Sequence, residues 1–294
     1  MSDLLQNRLS VVDTISVPGS TVKPNEDRPG HNDQIAFVID GATGLGDHPI
    51  TTGHGSDASW LAEFSSAFFL KHMHHDRVTA EVISELIAAA RQRFLEFSGG
   101  HEVPRYAWPS ASFSMIRLNG DRLEFAGLGD CKALLSKRDG SAEVYSALGD
   151  FFASETEEAS RHLQRLGTFR QGNLLSDPET LASLRATRER QNTPESGIWT
   201  LGLVDDAARN IFSTTLQASD YDAALLCSDG FASLVDTYQA YTPETLVQAA
   251  SANGLTRLCE EIRAIEREVD PDGARYPRFK QSDDATALFT KIVT

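Results

Sequence analysis

The chain changes its hydrophobic period several times, and the changes mark out its elements. Two runs are apolar without interruption, Ile35 to Ile39 and Ala223 to Cys227, and each leads into an Asp-Gly step, at Asp40-Gly41 and, after Ser228, at Asp229-Gly230. An unbroken apolar run of this length predicts a strand buried on both faces, so its carboxylate stands where the sheet opens onto solvent. Elsewhere the pattern alternates. Ala111, Phe113 and Met115 interleave with serines, Asn119-Gly120 supplies a hairpin turn, and Arg122 to Leu128 alternates again before Gly129-Asp130. Leu9 to Val17 predicts a first strand, broken by Pro18-Gly19, and Ala285 to Val293 a last one, opened by Asp283-Asp284. Weaker strand patterns lie around Ile198 to Leu201 and Ile211 to Leu216.

Spacings of three and four predict the helices. Trp60, Leu61, Phe64 and Phe68 mark one, and Ile83, Ile87, Ala90 and Phe94 mark a second that ends at Gly99-Gly100. Further helices are predicted over Pro243 to Ala252 and over Thr256 to Val269, the latter with Leu258, Cys259, Ile262 and Ile265 inward. From Asp150 to Ser196 the chain turns charged, with helices predicted over Glu157 to Leu166 and Pro178 to Gln191; we read this as a helical insertion near the mouth of a site. Hairpins beside helix pairs predict an α+β fold, two antiparallel sheets packed as a sandwich with helices on both outer faces. No linker or repeat interrupts the pattern, which predicts one domain spanning 1–294.

Composition narrows the choice of partner. The formal net charge is -15, and no cluster of lysine and arginine offsets it, which argues against a nucleic-acid surface. An anionic substrate would need local positive charge, and bound cations would supply it. Cys131, Cys227 and Cys259 are too few for a disulfide framework and read as buried free thiols of a reducing compartment. Met1 to Ser10 lacks the apolar core of a signal peptide and no apolar run approaches a membrane span, so a cytoplasmic protein without membrane contact is expected.

Asp27, Asp40, Asp229 and Asp283 all fall at predicted strand ends, beside glycine or turn residues and far apart in the sequence. Any one of them alone reads as a turn or capping aspartate. As a set they suggest convergence. Carboxylates brought within a few ångströms of one another repel and hold protons unless a cation compensates. Oxygen ligands of this kind suit Mg²⁺ or Mn²⁺ rather than zinc. Two such ions, about 3.5–4 Å apart, can share a bridging water, lower its pKa and clamp a phosphate for in-line displacement.

The motifs Asn25-Glu26-Asp27, Val38-Ile39-Asp40-Gly41, Ser110-Ala111-Ser112, Gly129-Asp130, Ser228-Asp229-Gly230 and Asp283-Asp284-Ala285-Thr286, in this order, resemble those of the metal-dependent protein phosphatases of type 2C. The resemblance spans residues 9–293. It implies a four-layer αββα sandwich, a centre of two Mn²⁺ or Mg²⁺ ions with a weaker third in some members, and hydrolysis of phosphoserine and phosphothreonine in proteins by metal-bound water without a phosphoenzyme. It also implies a phosphoprotein substrate and a cognate Ser/Thr kinase. Carried over by position, Asp40 would bridge both ions and the Gly41 carbonyl would bind one. Asp229 and Asp283 would hold the first ion, Glu26 and Asp27 the second, and Asp130 the third. Asp284 and Ser228 would support them from behind, and Asp40, Asp229 and Asp27 are the candidate catalytic residues.

This chain departs from the family pattern in several places. Val22 stands where the family carries a phosphate-gripping arginine; Lys23 is adjacent and is the candidate substitute, although a lysine cannot make the bidentate contact. Ala42 follows Asp40-Gly41 where animal members have a histidine general acid, which leaves protonation of the leaving group to water. Ser233 stands where an acidic residue is usual, and Cys131-Lys132 where Ser-Arg is usual, so a third ion would be weak or missing. Arg275, Arg278 and Lys280 read as solvated loop charges, and His48 and His54 as loop residues near the site. Two other functions stay open: a pseudophosphatase that serves as a regulatory binding module, and a phosphatase of small phosphomonoesters.

Overall fold

The computed structural model describes residues 7–148, 160–161 and 177–294. Among them, one antiparallel sheet runs in the order β1 (Arg8–Val17), β10 (Ala285–Val293), β9 (Tyr221–Cys227), β6 (Lys132–Lys137), β7 (Ala142–Ser146). The other runs β2 (Arg28–His31), β3 (Ile35–Ala42), β4 (Ser110–Asn119), β5 (Arg122–Leu128), β8 (Phe212–Gln217). The unbroken apolar runs are the strands with apolar cover on both sides. Ile35, Phe37 and Ile39 of β3 pack on helices α1 (Asp57–His72) and α2 (Thr79–Phe97), while Ala36 and Val38 face the opposite sheet. In β9, Leu225 and Cys227 meet α4 (Asp229–Asp236), α5 (Pro243–Asn253) and α6 (Leu255–Ala264), while Ala224 and Leu226 face inward. Helix, sheet, sheet and helix thus form four layers with three apolar seams, the αββα order expected. α3 (Pro178–Arg190) lies in the predicted insertion.

Several local expectations are corrected. β3 does not stop at Ile39, because Asp40, Gly41 and Ala42 continue its ladder opposite Ser112, Ala111 and Ser110. Asp40 therefore sits within a strand and not in the turn after it. The predicted strand at Ile198 to Leu201 is reduced to one bridge, in which Leu201 and Ala111 exchange both backbone hydrogen bonds at 2.8 Å. The short strands β2, β6 and β7 and helix α4 had no clear pattern of their own. The last long helix ends as α6 at Ala264 and continues as a π-helical turn, Ile265–Val269. The helix expected over Glu157 to Leu166 falls largely outside the described residues. Among those described, no helix is long and apolar enough to cross a membrane.

Candidate metal centre

Both sheets deliver their carboxylates to one end of the sandwich. Asp27 immediately precedes β2, Asp40 sits near the end of β3, and Asp130 follows β5. Asp229 opens α4 directly after β9, and Asp283 lies just before β10. Asp40 and Asp229, on opposite sheets, are close enough to share a hydrogen bond. Asp40, Asp130 and Cys131 offer ligand atoms within 4.8 Å of one another. Asp27 is 1% exposed; the Thr286 hydroxyl reaches its carboxylate, but Oδ2 is sealed from solvent with no hydrogen-bond partner.

A second tier fixes these acids through the backbone. Asp284 accepts from Gly19 N at 2.8 Å and from Glu26 N at 2.7 Å, tying the loop before β2 to the start of β10. Glu26 accepts from the Ser56 hydroxyl at 2.6 Å and the Thr43 hydroxyl at 3.0 Å, and Ser56 is also the N-cap of α1. The Ser228 hydroxyl accepts from Thr286 N at 3.0 Å, pinning the end of β9 against β10. Two glycines allow the close approach. A Cβ on Gly41 would lie 2.7 Å from the Glu26 carbonyl, and one on Gly230 would lie 2.0 Å from the Asp284 carbonyl.

Acids gathered this closely raise one another's pKa. Asp27, Asp40 and Asp229 are pushed well above the usual carboxylate range, first by burial and then by the charges of their neighbours. Burial also raises Glu26. Lys280 places a cation beside these acids, its Nζ 2.8 Å from Asp283 Oδ1. Burial works against that ammonium, yet Asp283, with Glu26 and Asp229, holds its pKa above the ordinary lysine value. Burial and the charges of Asp40 and Asp130 push the Cys131 thiol well up, so it stays protonated beside the acids. The orphaned Asp27 oxygen and, in the same acid centre, the closely spaced carboxylates of Asp40 and Asp130 are what a hard divalent cation would satisfy, and the residues present fit one.

The centre opens into a cleft of about 530 Å³, with Asp40, Asp130, Asp229 and Asp283 among its lining. Glu26 and Asp27 lie beneath that floor and do not line it. Neither Val22, 89% exposed, nor the exposed Lys23 lines the cleft, so the expectation that Lys23 meets substrate phosphate has no support in its position. Three basic residues were expected to be solvated, and only Arg275 is exposed. Arg278 pairs with buried Asp270 at 2.8 Å, and Lys280 lines the cleft. His48 and His54 do not line it; His54 pairs with Glu63 at 3.2 Å. Sequence reasoning missed the pairing of Lys132, which follows the Gly129-Asp130 motif, with Asp236 (2.6 Å), and missed Arg188, both on the cleft wall, because neither Asp236 nor Arg188 belongs to a recognisable motif.

No family model matches the chain, and no curated protein matches it in sequence. Solved structures match it in shape. The catalytic domain of the serine/threonine protein phosphatase PstP, in complex with two manganese ions, aligns at a TM-score of 0.55 over 98% of this chain and 100% of that one, with 18% identity. The chain has the fold of the bacterial type 2C serine/threonine phosphatases. PstP/Ppp of Mycobacterium tuberculosis aligns at 0.55 and 18% identity over 99% of this chain and 100% of that one. Stp1 of Staphylococcus aureus aligns at 0.50 and 13% identity over 100% and 97%. In this fold the acids described above stand at the strand ends that meet at the cleft.

Proposed function

We propose that the chain is a metal-dependent protein phosphatase that hydrolyses phosphoserine and phosphothreonine in proteins, acting as one catalytic unit over 1–294. The observation that carries this reading is the convergence of Asp40 and Asp229, from opposite sheets, at a cleft that Asp130 and Asp283 also line, with Asp27 buried beneath them and the acids mutually repelling. Mn²⁺ or Mg²⁺ would be held by Asp40, the Gly41 carbonyl, Asp229 and Asp283 on one side and by Glu26 and Asp27 on the other, with Asp130 available to a weak third ion. Such ions supply Lewis acidity toward the phosphoryl oxygens and a lowered pKa for water. The chain's own part is positional. Asp284 and Ser228 hold the floor through backbone hydrogen bonds, and the buried β3 and β9 keep it from spreading when charged. Ala42 lines the cleft and carries no proton, so the leaving oxygen takes its proton from solvent. The free buried cysteines agree with a reducing, cytoplasmic setting, and the natural counterpart would be a Ser/Thr kinase.

The test is hydrolysis of a phosphothreonine peptide with Mn²⁺, with chelator, and by Asp229→Asn. Activity confined to the Mn²⁺-loaded native protein supports the reading; activity that survives both chelator and substitution removes it.

A pseudophosphatase remains the second reading, and one contact favours it. The Lys280 ammonium sits on Asp283, an acid that an ion would need. Calorimetric titration separates the two readings, because a binding module of this kind would take up no Mn²⁺ at millimolar concentration.

A further inference from the structure

The site as described has acids to hold cations but no evident group to grip the anion they would act on. Val22, which stands where the family pattern has its arginine, is exposed and does not line the cleft. Among the described residues the cations on the cleft wall are Lys132, Lys280, Arg188 and Arg190. Lys132 is engaged by Asp236 at 2.6 Å and Lys280 by Asp283 at 2.8 Å. Arg190 is exposed. Arg188 differs from all of these. Its Nη1 is sealed from solvent and, among the described residues, has no hydrogen-bond partner, while Nη2 makes a long 3.5 Å contact with the Thr43 carbonyl.

We propose that Arg188 binds the phosphate group of the substrate, so that helix α3, rather than the loop before Glu26, supplies the anion's partner. The inference rests on the phosphatase reading and names a residue within it. A guanidinium with a sealed, unmet N–H group loses hydrogen bonds it would make in water, and such a group in a native structure calls for a partner, which a ligand in the cleft would supply. Burial lowers the Arg188 pKa to about 10 while the Glu26 charge holds it up, so the side chain remains a cation at neutral pH. Its fork of donors matches the oxygens of a phosphomonoester, which it can take two at a time.

The bland alternative is an arginine that complements the dipole at the end of its own helix. Its placement argues against that. Arg188 reaches away from α3 to Thr43, whose hydroxyl bonds Glu26, and so stands beside the acid floor. Two other sealed polar atoms without partners, Gln191 Oε1 and Ser146 Oγ, belong to residues lining the same cleft. Three unmet polar atoms around one cleft point to a polar ligand there. The helix that carries Arg188 is also firmly set. Asp177 caps its start, accepting from Thr180 N and Oγ1 at 2.8 Å. Arg185 donates to the Leu45 carbonyl at 2.9 Å and to Asp47 at 2.8 Å, and Arg105 donates to the Gln191 and Asn192 carbonyls at 2.7 and 3.1 Å. An anion ligand held this way is pre-organised rather than recruited.

The experiment uses the full chain loaded with Mn²⁺, as wild type, Arg188→Met, Arg188→Lys and Lys23→Met. KM and kcat are measured on a phosphothreonine peptide, and inorganic phosphate is tested both as an inhibitor and by calorimetric titration. Arg188→Met should raise KM and the phosphate inhibition constant about 10- to 100-fold, the loss expected for a charge-assisted, bidentate contact. Arg188→Lys should recover part of that loss, and Lys23→Met should change either constant less than twofold. Mn²⁺ affinity should stay the same in all four proteins. Unchanged phosphate affinity in folded Arg188→Met overturns the inference, as does a parallel loss of Mn²⁺ affinity, which would make Arg188 a support of the floor. Should Arg188→Met not fold, Arg188→Lys carries the same comparison, and phosphate affinity equal to wild type overturns the proposal. If the wild type hydrolyses no phosphopeptide, the phosphatase reading falls while the titration still decides Arg188: weaker phosphate binding in the variant upholds it. No phosphate binding by the wild type overturns both.

Discussion

The floor and the lip of the cleft are built on opposite plans. On the floor, short carboxylates stand on backbone that cannot move: Asp40 is locked in ladder register opposite Ser112, and Asp229 follows a strand buried on both faces. On the lip, long cationic side chains arrive from segments outside the sheets, Arg188 from α3 and Lys280 from the loop before β10. The rigid part therefore carries like charges that repel, and the charges that would relieve them sit on side chains with more freedom. A fold arranged in this way is under electrostatic load until a small cation binds, which makes metal binding and stability one measurement.

The most severe break of this comparison is at the floor. Asp229→Asn should lower Mn²⁺-dependent hydrolysis about 10³-fold, on the scale of losing a principal electrostatic group from an active site. The same change should stabilise the metal-free protein, because it removes one of the repelling charges; a gain of about 1 kcal/mol corresponds to about 2–4 °C in a chain of this size. Scanning calorimetry in chelator checks the second half. A metal-free variant that melts below the wild type would show that the floor is not under load.

The load also has a pH signature. The folded-state pKa values of Asp27, Asp40 and Asp229 are raised above those of the unfolded chain. From about pH 4 upward the metal-free folded protein therefore holds protons that the unfolded chain has released, and stability falls as pH rises through the folded values. Divalent cations take the place of those protons. Mn²⁺ should raise the melting temperature more at pH 8 than at pH 5.5, with a stabilisation of about 2.7 kcal/mol at one hundred times Kd. An equal shift at both pH values would mean that the acids are already ionised without metal.

What could be read from the sequence follows the same division. The floor was legible because its acids stand at local breaks in the pattern, Asp40 and Asp229 at Asp-Gly after apolar runs, Asp130 at Gly-Asp after an alternating segment and Asp283 at Asp-Asp before the last strand, and the double-sided burial of β3 and β9 follows from the same apolar runs. The extension of β3 through Ala42 was not legible, since Asp40-Gly41-Ala42 has turn composition and becomes a strand only because Ser110 to Ser112 pair with it. The lip left no pattern at all. Arg188 is one of several arginines on a charged helix, and what sets it apart is the packing of that helix over Thr43, a contact 145 residues distant in sequence. Lys280 similarly looks like a loop lysine until the chain brings Asp283 back onto it.

A change on the lip should sharpen the contrast by acting in the opposite direction to a change on the floor. Lys280→Met removes the ammonium that shares Asp283, so an incoming ion no longer competes with it. Since the pair is partly exposed, the effect is modest: Mn²⁺ affinity should rise by up to about 5-fold, the range of exposed ion pairs. Weaker Mn²⁺ binding in the variant would instead make Lys280 part of the support for Asp283.

The smallest effect expected lies furthest from the acids. Arg105, in a short 3₁₀ turn (Arg105–Ala107), touches nothing on the floor, but its guanidinium donates to the carbonyls of Gln191 and Asn192 directly after α3. These are backbone groups at a helix end, where carbonyls lack partners within the helix. Arg105→Ala would leave them to water and loosen the end of α3 that carries Arg188, while the capped start of the helix and the Arg185 contacts stay in place. The expected result is a KM for phosphopeptide raised about 2- to 5-fold, with Mn²⁺ affinity unchanged and kcat lowered less than KM is raised, because only the positioning of the anion is disturbed. If kcat and Mn²⁺ affinity fell together instead, the lip and the floor would be one mechanical unit, and the separation between a rigid acid base and an independently mounted cationic rim would have to be given up.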